Sequence, residues 1–552
     1  MLDHLPVPAL AAEVRLRSRS ALMATLRRID GWGPLAWKEV LGAWQVRGAV
    51  LAFEPREAEV DPDADRVTAW VVLPGPLAGR GADAVTVADW VLRMAWARLL
   101  DRAPVVATTI RPGAAIRATN GCFRQADGQF ALRLVLDLPY AGMCIDGRRL
   151  GRFVTCVEAF AASLINDQAG LRAAVRAVLR QRALRAALAS HGLCAFMAEG
   201  SVLPRAAGGG PAPGAMALRV TGGLRCTVDA GRWGRVTGLG IPCGVTAIAG
   251  APYHGKSTLL AAIQAGIEDH PPGDGREGVV ADASAVAVMA EEGRRVRAQD
   301  LSGFFAELPA VDPHAFSTDR ASGATSMASS VLQAVAAGSR LLLIDEDTAA
   351  SNFLALDAGM RRLLGSRICG TTTLLEVLPD LARQGVSAVV VAGATASSLA
   401  YAGRVVVMDH FQPRDATRAA RRIVARMAGR PVVVPSRRLV DDPDRWLGPR
   451  HFLAVDCREP ERPVLRLPGG HHQALDLRRC GWPLDAALTR GAVLGAAWCW
   501  RLAEGGCDMA ELRTRFAAFM AARGPAGLDP FHTDLVAEPP WQLVVSVIER
   551  LA

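Results

Sequence analysis

An α/β fold is predicted by three stretches of the 552-residue chain. The apolar run Val245 to Ala249 enters a glycine-bounded turn and leaves it as a helix carrying Leu259, Leu260 and Ile263, which is the order strand, loop, helix. The run Leu341 to Ile344 ends in Asp345-Glu346, a buried strand that delivers two carboxylates at its C-terminal end, where α/β sheets bind ligands. Between them, Ser322-Gly323-Ala324-Thr325-Ser326 opens an amphipathic helix through Met327, Val331 and Val335, closed by Gly338.

The loop is the most informative of the three. Gly250-Ala251-Pro252-Tyr253-His254-Gly255-Lys256-Ser257 has the G-x-x-x-x-G-K-S spacing of a phosphate-binding loop, and Thr258 continues into the helix. Gly250 and Gly255 permit backbone angles that a Cβ disfavours, so successive N–H groups can point inward at an anion. The helix N-terminus adds partial positive charge. Lys256 is expected to reach the β- and γ-phosphates as a point charge, and the Ser257 hydroxyl to hold Mg²⁺. Among 63 basic residues only Lys38 and Lys256 are lysines. A GC-rich genome accounts for the arginine excess, and under that bias a slender ammonium survives where a planar guanidinium could not enter the loop. Of the two carboxylates, Asp345 is expected in the metal shell, and Glu346 to polarise the attacking water as general base.

The length implies about three or four domains, and 51% apolar residues are ample for their cores. No run approaches the roughly 20 apolar residues of a membrane span, and Met1-Leu-Asp-His-Leu-Pro6 lacks the basic-then-apolar order of a signal peptide, so the expectation is a cytoplasmic protein without a membrane partner. The eleven cysteines are scattered and never form a C-x-x-C pair, which excludes a zinc-ribbon or disulfide framework by pattern. A net charge of +9 with pI near 9.3 permits an anionic partner such as nucleic acid.

Residues 1 to 205 read as an N-terminal α/β domain, a candidate for nucleic-acid binding. Ala21 to Ile29 has helical spacing, Arg66 to Leu73 and Phe130 to Leu138 alternate as strands do, and Val157 to His191 forms one or two long helices. Arg172, Arg176 and Arg180 make an i, i+4 stripe, with Arg182 and Arg185 close by. It could track a phosphate backbone, although a solvated helix face is the better expectation in an arginine-rich chain. Ala206 to Ala215 reads as a linker and the first domain boundary. Residues 206 to 430 hold the phosphate loop. Within them, Leu218 to Val228 and Trp233 to Leu239 read as strands, and Gly278 to Ala281 could pair with Ala285 to Met289. Residues 431 to 552 form a C-terminal domain, a candidate for dimerisation or nucleic-acid contact, with Arg437-Arg438, Arg478-Arg479, the helix Met509 to Ala522 and a His471-His472 pair after Gly469-Gly470 that reads as a loop.

Phosphate loop, Ser-Gly helix and Leu-Leu-Leu-Ile-Asp-Glu, in this order and spacing, resemble the nucleotide-binding domain of ABC ATPases. The resemblance narrows to the predicted ATPases of the ABC class through Gly-Ile-Pro-Cys-Gly-Val-Thr (240 to 246), Tyr253-His254-Gly255-Lys256-Ser257-Thr258-Leu-Leu, Pro-Gly-Asp-Gly-Arg-Glu (272 to 277), Phe-Ser-Thr (316 to 318), Ala-Ser-Gly-Ala-Thr-Ser (321 to 326) and Ile-Asp-Glu-Asp-Thr-Ala-Ala-Ser-Asn-Phe (344 to 353). Weaker likeness extends outward over most of the chain. The resemblance implies an ABC-type P-loop ATPase core flanked by an N-terminal α/β domain and a small C-terminal α/β domain. It further implies ATP and Mg²⁺ as ligands, a homodimer closing around ATP, and RNA or other nucleic acid as partner. Ser322 and Gly323 would then face the γ-phosphate held by the opposite subunit, and Gln299 would contact Mg²⁺ and water as the Q-loop residue.

Two departures bear on activity. Ala251-Pro252 stands where the family is richer in glycine, which stiffens the loop. After the strand Ala388 to Val391, where ABC proteins commonly carry a switch histidine, stands Ala392-Gly393-Ala394-Thr395-Ala396, so slow or partner-stimulated hydrolysis is expected. The nearby His410 reads as structural. Only 23 residues separate Gln299 from Ser322, too few for the helical subdomain with which transporter ATPases grip a membrane partner. The reading is an ATP hydrolase that couples dimer closure to nucleic acid, with RNA the expected partner. The alternative is an ATP-dependent clamp or switch acting on a protein partner.

Overall fold

The computed structural model describes residues 16–55, 66–74, 83–100, 102–103, 105–108, 112–142, 144–206, 209–309, 311–368, 370–427, 431–435, 454–467, 471–503, 508–529 and 534–551. Arg437-Arg438, Gly469-Gly470 and the first residues of the chain lie outside them. Packing divides the chain into two compact units, residues 1–178 with 518–538, and residues 179–517 with 539–552. The boundary expected at 205 therefore falls inside the second unit, and the segment from 431 onward is shared between both.

In the first unit the two alternating stretches become the strands Arg66–Leu73 and Phe130–Asp137, paired antiparallel from Arg66 opposite Asp137 to Leu73 opposite Phe130. Gly42–Val46 and Ala49–Pro55 extend this sheet on one side and Val106–Thr108 on the other. Successive residues of a strand face opposite sides, and here both sides are buried, which is why Arg66–Leu73 reads as an almost unbroken apolar run. Ala69, Val71 and Leu73 share a core with Leu22, Leu26, Phe153 and Val157 of the helices Arg19–Arg28 and Gly147–Asn166. On the other face, Ala43, Ala52 and Ala131 leave room for the indole of Trp70, whose Nε1 donates to Glu54 at 2.9 Å.

The helical stretch near 157 to 191 is two helices, Gly147–Asn166 and Gln168–Ala187, broken at Asp167, whose side chain accepts from the Gly170 amide at 3.0 Å. The arginines beyond the break divide by role. Arg172, Arg176 and Arg180 are exposed. Arg182 and Arg185 instead clasp Asp269 at 2.7 and 2.9 Å, and Arg185 also caps the carbonyl of Glu268 at 2.7 Å.

Two sheets form the main framework of the second unit. The antiparallel one runs Arg225–Asp229, Arg235–Pro242, Leu193–Ala198, Val279–Ala281. Residues 279–281 thus pair with Leu193–Ala198 and not with Val286–Val288, which joins the other sheet; the turn between them, with Asp282 accepting from Ser284, changes sheets instead of making a hairpin. The expected linker is also part of this unit, because Arg205 bridges to Pro211 and ion-pairs with Asp274 at 2.7 Å. The larger sheet runs Val286–Val288, Leu341–Asp345, Ser387–Ala392, Val245–Ala249, Arg404–Asp409, Gln412–Asp415, parallel except for the last strand. A three-stranded antiparallel sheet, Ala454–Asp456, Val464–Arg466, His472–Ala474, and the helices Ala486–Ala503 and Trp541–Leu551 complete it.

The clasp on Asp269 is nearly buried, and removing one partner of such a cluster leaves uncompensated charge. Asp269→Ala should therefore cost about 3 kcal/mol in urea unfolding, whereas Arg176→Ala on the exposed face should stay within about 0.5 kcal/mol. Equal effects would contradict this division of the arginines.

Candidate nucleotide site

Parallel register builds the site. Ala249 lies opposite Ala392, and Val391 lies opposite both Ile248 and Asp345, so three neighbouring strands end at one level. The residues that follow, Gly250, Gly393 and Glu346, are thereby brought to one edge of the sheet.

Gly250 has φ +149°, and a Cβ there would lie 2.6 Å from the carbonyl oxygen of Met408. The four residues after it form a turn in which His254 N donates to Ala251 O at 3.4 Å. Pro252 occupies the second position, where its fixed φ suits a turn, and Tyr253 the third with φ +62°. Glycine usually supplies that left-handed angle; in tyrosine it costs about 1–2 kcal/mol. The Tyr253 side chain is 95% exposed and contributes no packing to offset this. Gly255, at φ +95°, caps the helix Lys256–Ala265 without a side-chain acceptor, so the first amides of that helix are left for an anion.

Lys256 Nζ donates to Ala251 O at 3.1 Å, which curls the ammonium back over the loop. Ser257 Oγ donates to Asp345 Oδ2 at 2.8 Å. Hydroxyl and carboxylate are hard oxygen donors of the kind Mg²⁺ takes, so these two residues fit the metal assigned to them. Glu346 Oε2 accepts from Gly393 N at 2.5 Å and Ala394 N at 3.0 Å. Both partners are backbone amides of the segment after the strand Ser387–Ala392, where no switch histidine stands. Thr258 is half-buried and, with Gly255, Leu203, Pro204, Met216, Leu218 and Phe411, lines a small apolar recess beside the loop.

The remaining sequence-expected residues lie elsewhere. Ser322 is the N-cap of the helix Gly323–Ala336, its Oγ accepting from Thr325 N at 3.2 Å, and it is exposed. No hydrogen bond joins it or Gly323 to the phosphate loop of its own chain among the described residues. Gln299, at the end of the strand Val296–Gln299, receives Gln333 Nε2 of the Ser322 helix at 3.4 Å. Gln333 also donates to Glu549 at 3.1 Å, and neighbouring Arg550 pairs with Glu291 at 2.6 Å. The C-terminal helix thus reaches the Ser322 helix through buried polar groups. His410, read from the sequence as structural, sits with Phe411 at a hairpin tip, and Phe411 N donates to His254 O at 3.0 Å. The backbone donors of Gly393, Ala394 and Phe411 carry no side-chain signature in sequence, which is why they were not singled out.

Residues 167–441 match the family model ABC_ATPase, P-loop domain. This part of the chain belongs to that family, and the fold is that of an ABC-type P-loop ATPase domain joined to further mixed helix and sheet structure. ATP binding and hydrolysis are the chemistry the family supports. An uncharacterized protein of Methanocaldococcus jannaschii, MJ1628, is 34% identical over 150 residues, which take in 26% of this chain and 32% of that protein. The match thus spans about a third of the relative's length. Among solved structures, an ATP-binding cassette of an ABC transporter in its ADP conformation aligns over 35% of this chain and 88% of its own, at 12% identity and a TM-score of 0.23. No helix among the described residues is long and apolar enough to cross a membrane.

Gly250→Ala should weaken ATP binding at least tenfold, because its Cβ meets the Met408 carbonyl and its φ is strained. Titration with a fluorescent ATP analogue checks this, with circular dichroism to confirm folding. Unchanged affinity would show that the loop tolerates a shift of Gly250.

Proposed function

We propose that two copies of this protein close around ATP and that closure is coupled to binding RNA. The observation carrying this reading is the convergence of Lys256, the Ser257–Asp345 pair and Glu346 on one sheet edge, while Ser322, at the N-terminus of the helix Gly323–Ala336, is exposed and has no hydrogen bond to that edge among the described residues. Lys256 and the loop amides would hold the β- and γ-phosphates, and Ser257 with Asp345 would hold Mg²⁺, which neutralises charge on the phosphates. Glu346, positioned by Gly393 and Ala394, would orient and deprotonate water. The N-terminus of the Ser322 helix, with its amides and partial positive charge, suits a γ-phosphate presented by a second copy.

Support for an RNA partner comes from arginine placement. In the first unit Arg98, Arg102 and Arg152 line a cleft of about 680 Å³ together with Ala159 and Phe160, which sets cationic groups about a cavity where phosphates could bind. Arg172, Arg176 and Arg180 add an exposed basic stripe. The second reading, a clamp on a protein partner, is favoured by the same closure but does not use these arginines.

Lys256→Ala should abolish tight ATP binding. Glu346→Gln should bind ATP normally, lose hydrolysis by about 10²-fold or more, and accumulate as a dimer in light scattering. An ATP-loaded Glu346→Gln protein that stays monomeric would count against closure. Single-stranded RNA should bind with steeply salt-dependent affinity and stimulate turnover, and Arg102→Ala with Arg152→Ala should flatten the salt slope by about 1 to 2. Salt-independent or absent RNA binding would leave the protein-partner reading.

A further inference from the structure

We propose a transition-metal site, suited to Zn²⁺ or a similar late first-row divalent ion, formed by His254, Asp409 and His410 where the β-hairpin tip meets the phosphate loop. One ligand atom from each of the three lies within 4.8 Å of the other two. Asp409 Oδ1 is the hub, 2.6 Å from His410 Nδ1 and 3.5 Å from His254 Nδ1. The other carboxylate oxygen, Oδ2, is taken by Arg414 at 2.7 Å, so the charge facing the two imidazoles is Oδ1.

Two imidazoles and one carboxylate are the three-ligand set that leaves Zn²⁺ an open fourth position, and nitrogen ligands select it over Mg²⁺. The rings already sit together, with centroids 4.6 Å apart. His254 Nδ1 accepts from His410 N at 3.2 Å, an acceptor role that an ion on Nδ1 would take over. His410 and Phe411 form a two-residue hairpin turn with φ +48° and +62°, angles that favour glycine or asparagine, yet this tip places a histidine there. His410 is 81% exposed in its side chain, which gives an ion a way in. Binding through Nδ1 of His410 leaves the ring proton on Nε2, so the ligand is a neutral imidazole, and the site then ties the phosphate loop to the hairpin. That last consequence rests on the loop being the nucleotide site; the metal binding does not.

Chelator-treated full-length protein, dialysed against Zn²⁺ and separately against Co²⁺, tests the site. The wild type should retain one more ion per chain than Asp409→Asn or His410→Gln, with at least tenfold weaker binding in either variant, and His472→Ala should behave as the wild type. Co²⁺ should give a visible absorption band in the wild type that both variants lose, and Zn²⁺ should raise the melting temperature of the wild type alone. Circular dichroism establishes that the variants are folded, and His410→Gln alters only an exposed turn side chain. Equal stoichiometry and affinity in wild type and variants would overturn the proposal, whatever the ATPase rates.

Discussion

Parallel pairing of Val245–Ala249, Ser387–Ala392 and Leu341–Asp345 at one register is the constraint on which the site depends. Ser257 and Asp345 are 88 positions apart in the chain, yet the strands deliver them to a 2.8 Å hydrogen bond. A slip of one residue in any of these strands would reverse its side chains and part the loop from its carboxylates. The apolar runs that bury both faces of the sheet therefore fix the site as well as the fold, since Ala247, Ile248, Leu343, Ile344, Val390 and Val391 are all inside.

What could be read from sequence divides along a physical line. Loop, Ser-Gly helix and Asp-Glu strand were legible because their chemistry demands particular side chains at particular spacing: glycine at 250 and 255, an ammonium at 256, an N-cap serine at 322 followed by Gly323–Ala336. The strands 66–73 and 130–137 were legible from their apolar content, while the alternation expected of them is absent because both faces are buried. Strand partnership was not. Val279–Ala281 and Val286–Val288 are near neighbours in sequence but lie in different sheets, a choice made by long-range pairing that a local window does not contain. Ala206 to Ala215 has linker composition but is folded against Asp274 through Arg205, so composition marked a loop and not a boundary. Glu346 is held by the amides of Gly393 and Ala394, and amides leave no trace in residue identity.

Left-handed residues other than glycine cluster around the loop: Tyr253, His410 and Phe411, with Ala298 beside Gln299. At about 1–2 kcal/mol each, such angles persist where the surroundings impose them, and they gather at sites whose geometry must be held. The Ser322 helix is held differently. Gln333 on its buried face meets Gln299 and Glu549, and Arg294 reaches Ser330 and Gln333, so movement of the helix tip is felt by both the Gln299 strand and the C-terminal helix. The closure proposed above would have a physical route through these contacts to the rest of the second unit.

The claim that the site is completed by a second copy is tested most directly by mixing two inactive proteins. In a heterodimer of Ser322→Arg with Lys256→Ala, one site combines Lys256 of the first chain with Ser322 of the second and is whole, while the other site carries both changes. Steady-state ATP turnover should be near zero for each protein alone and return to about a quarter of the wild-type rate in an equimolar mixture. Full hydrolysis by the Ser322→Arg protein alone would contradict the account, because Ser322 would then have no part in the site of either copy.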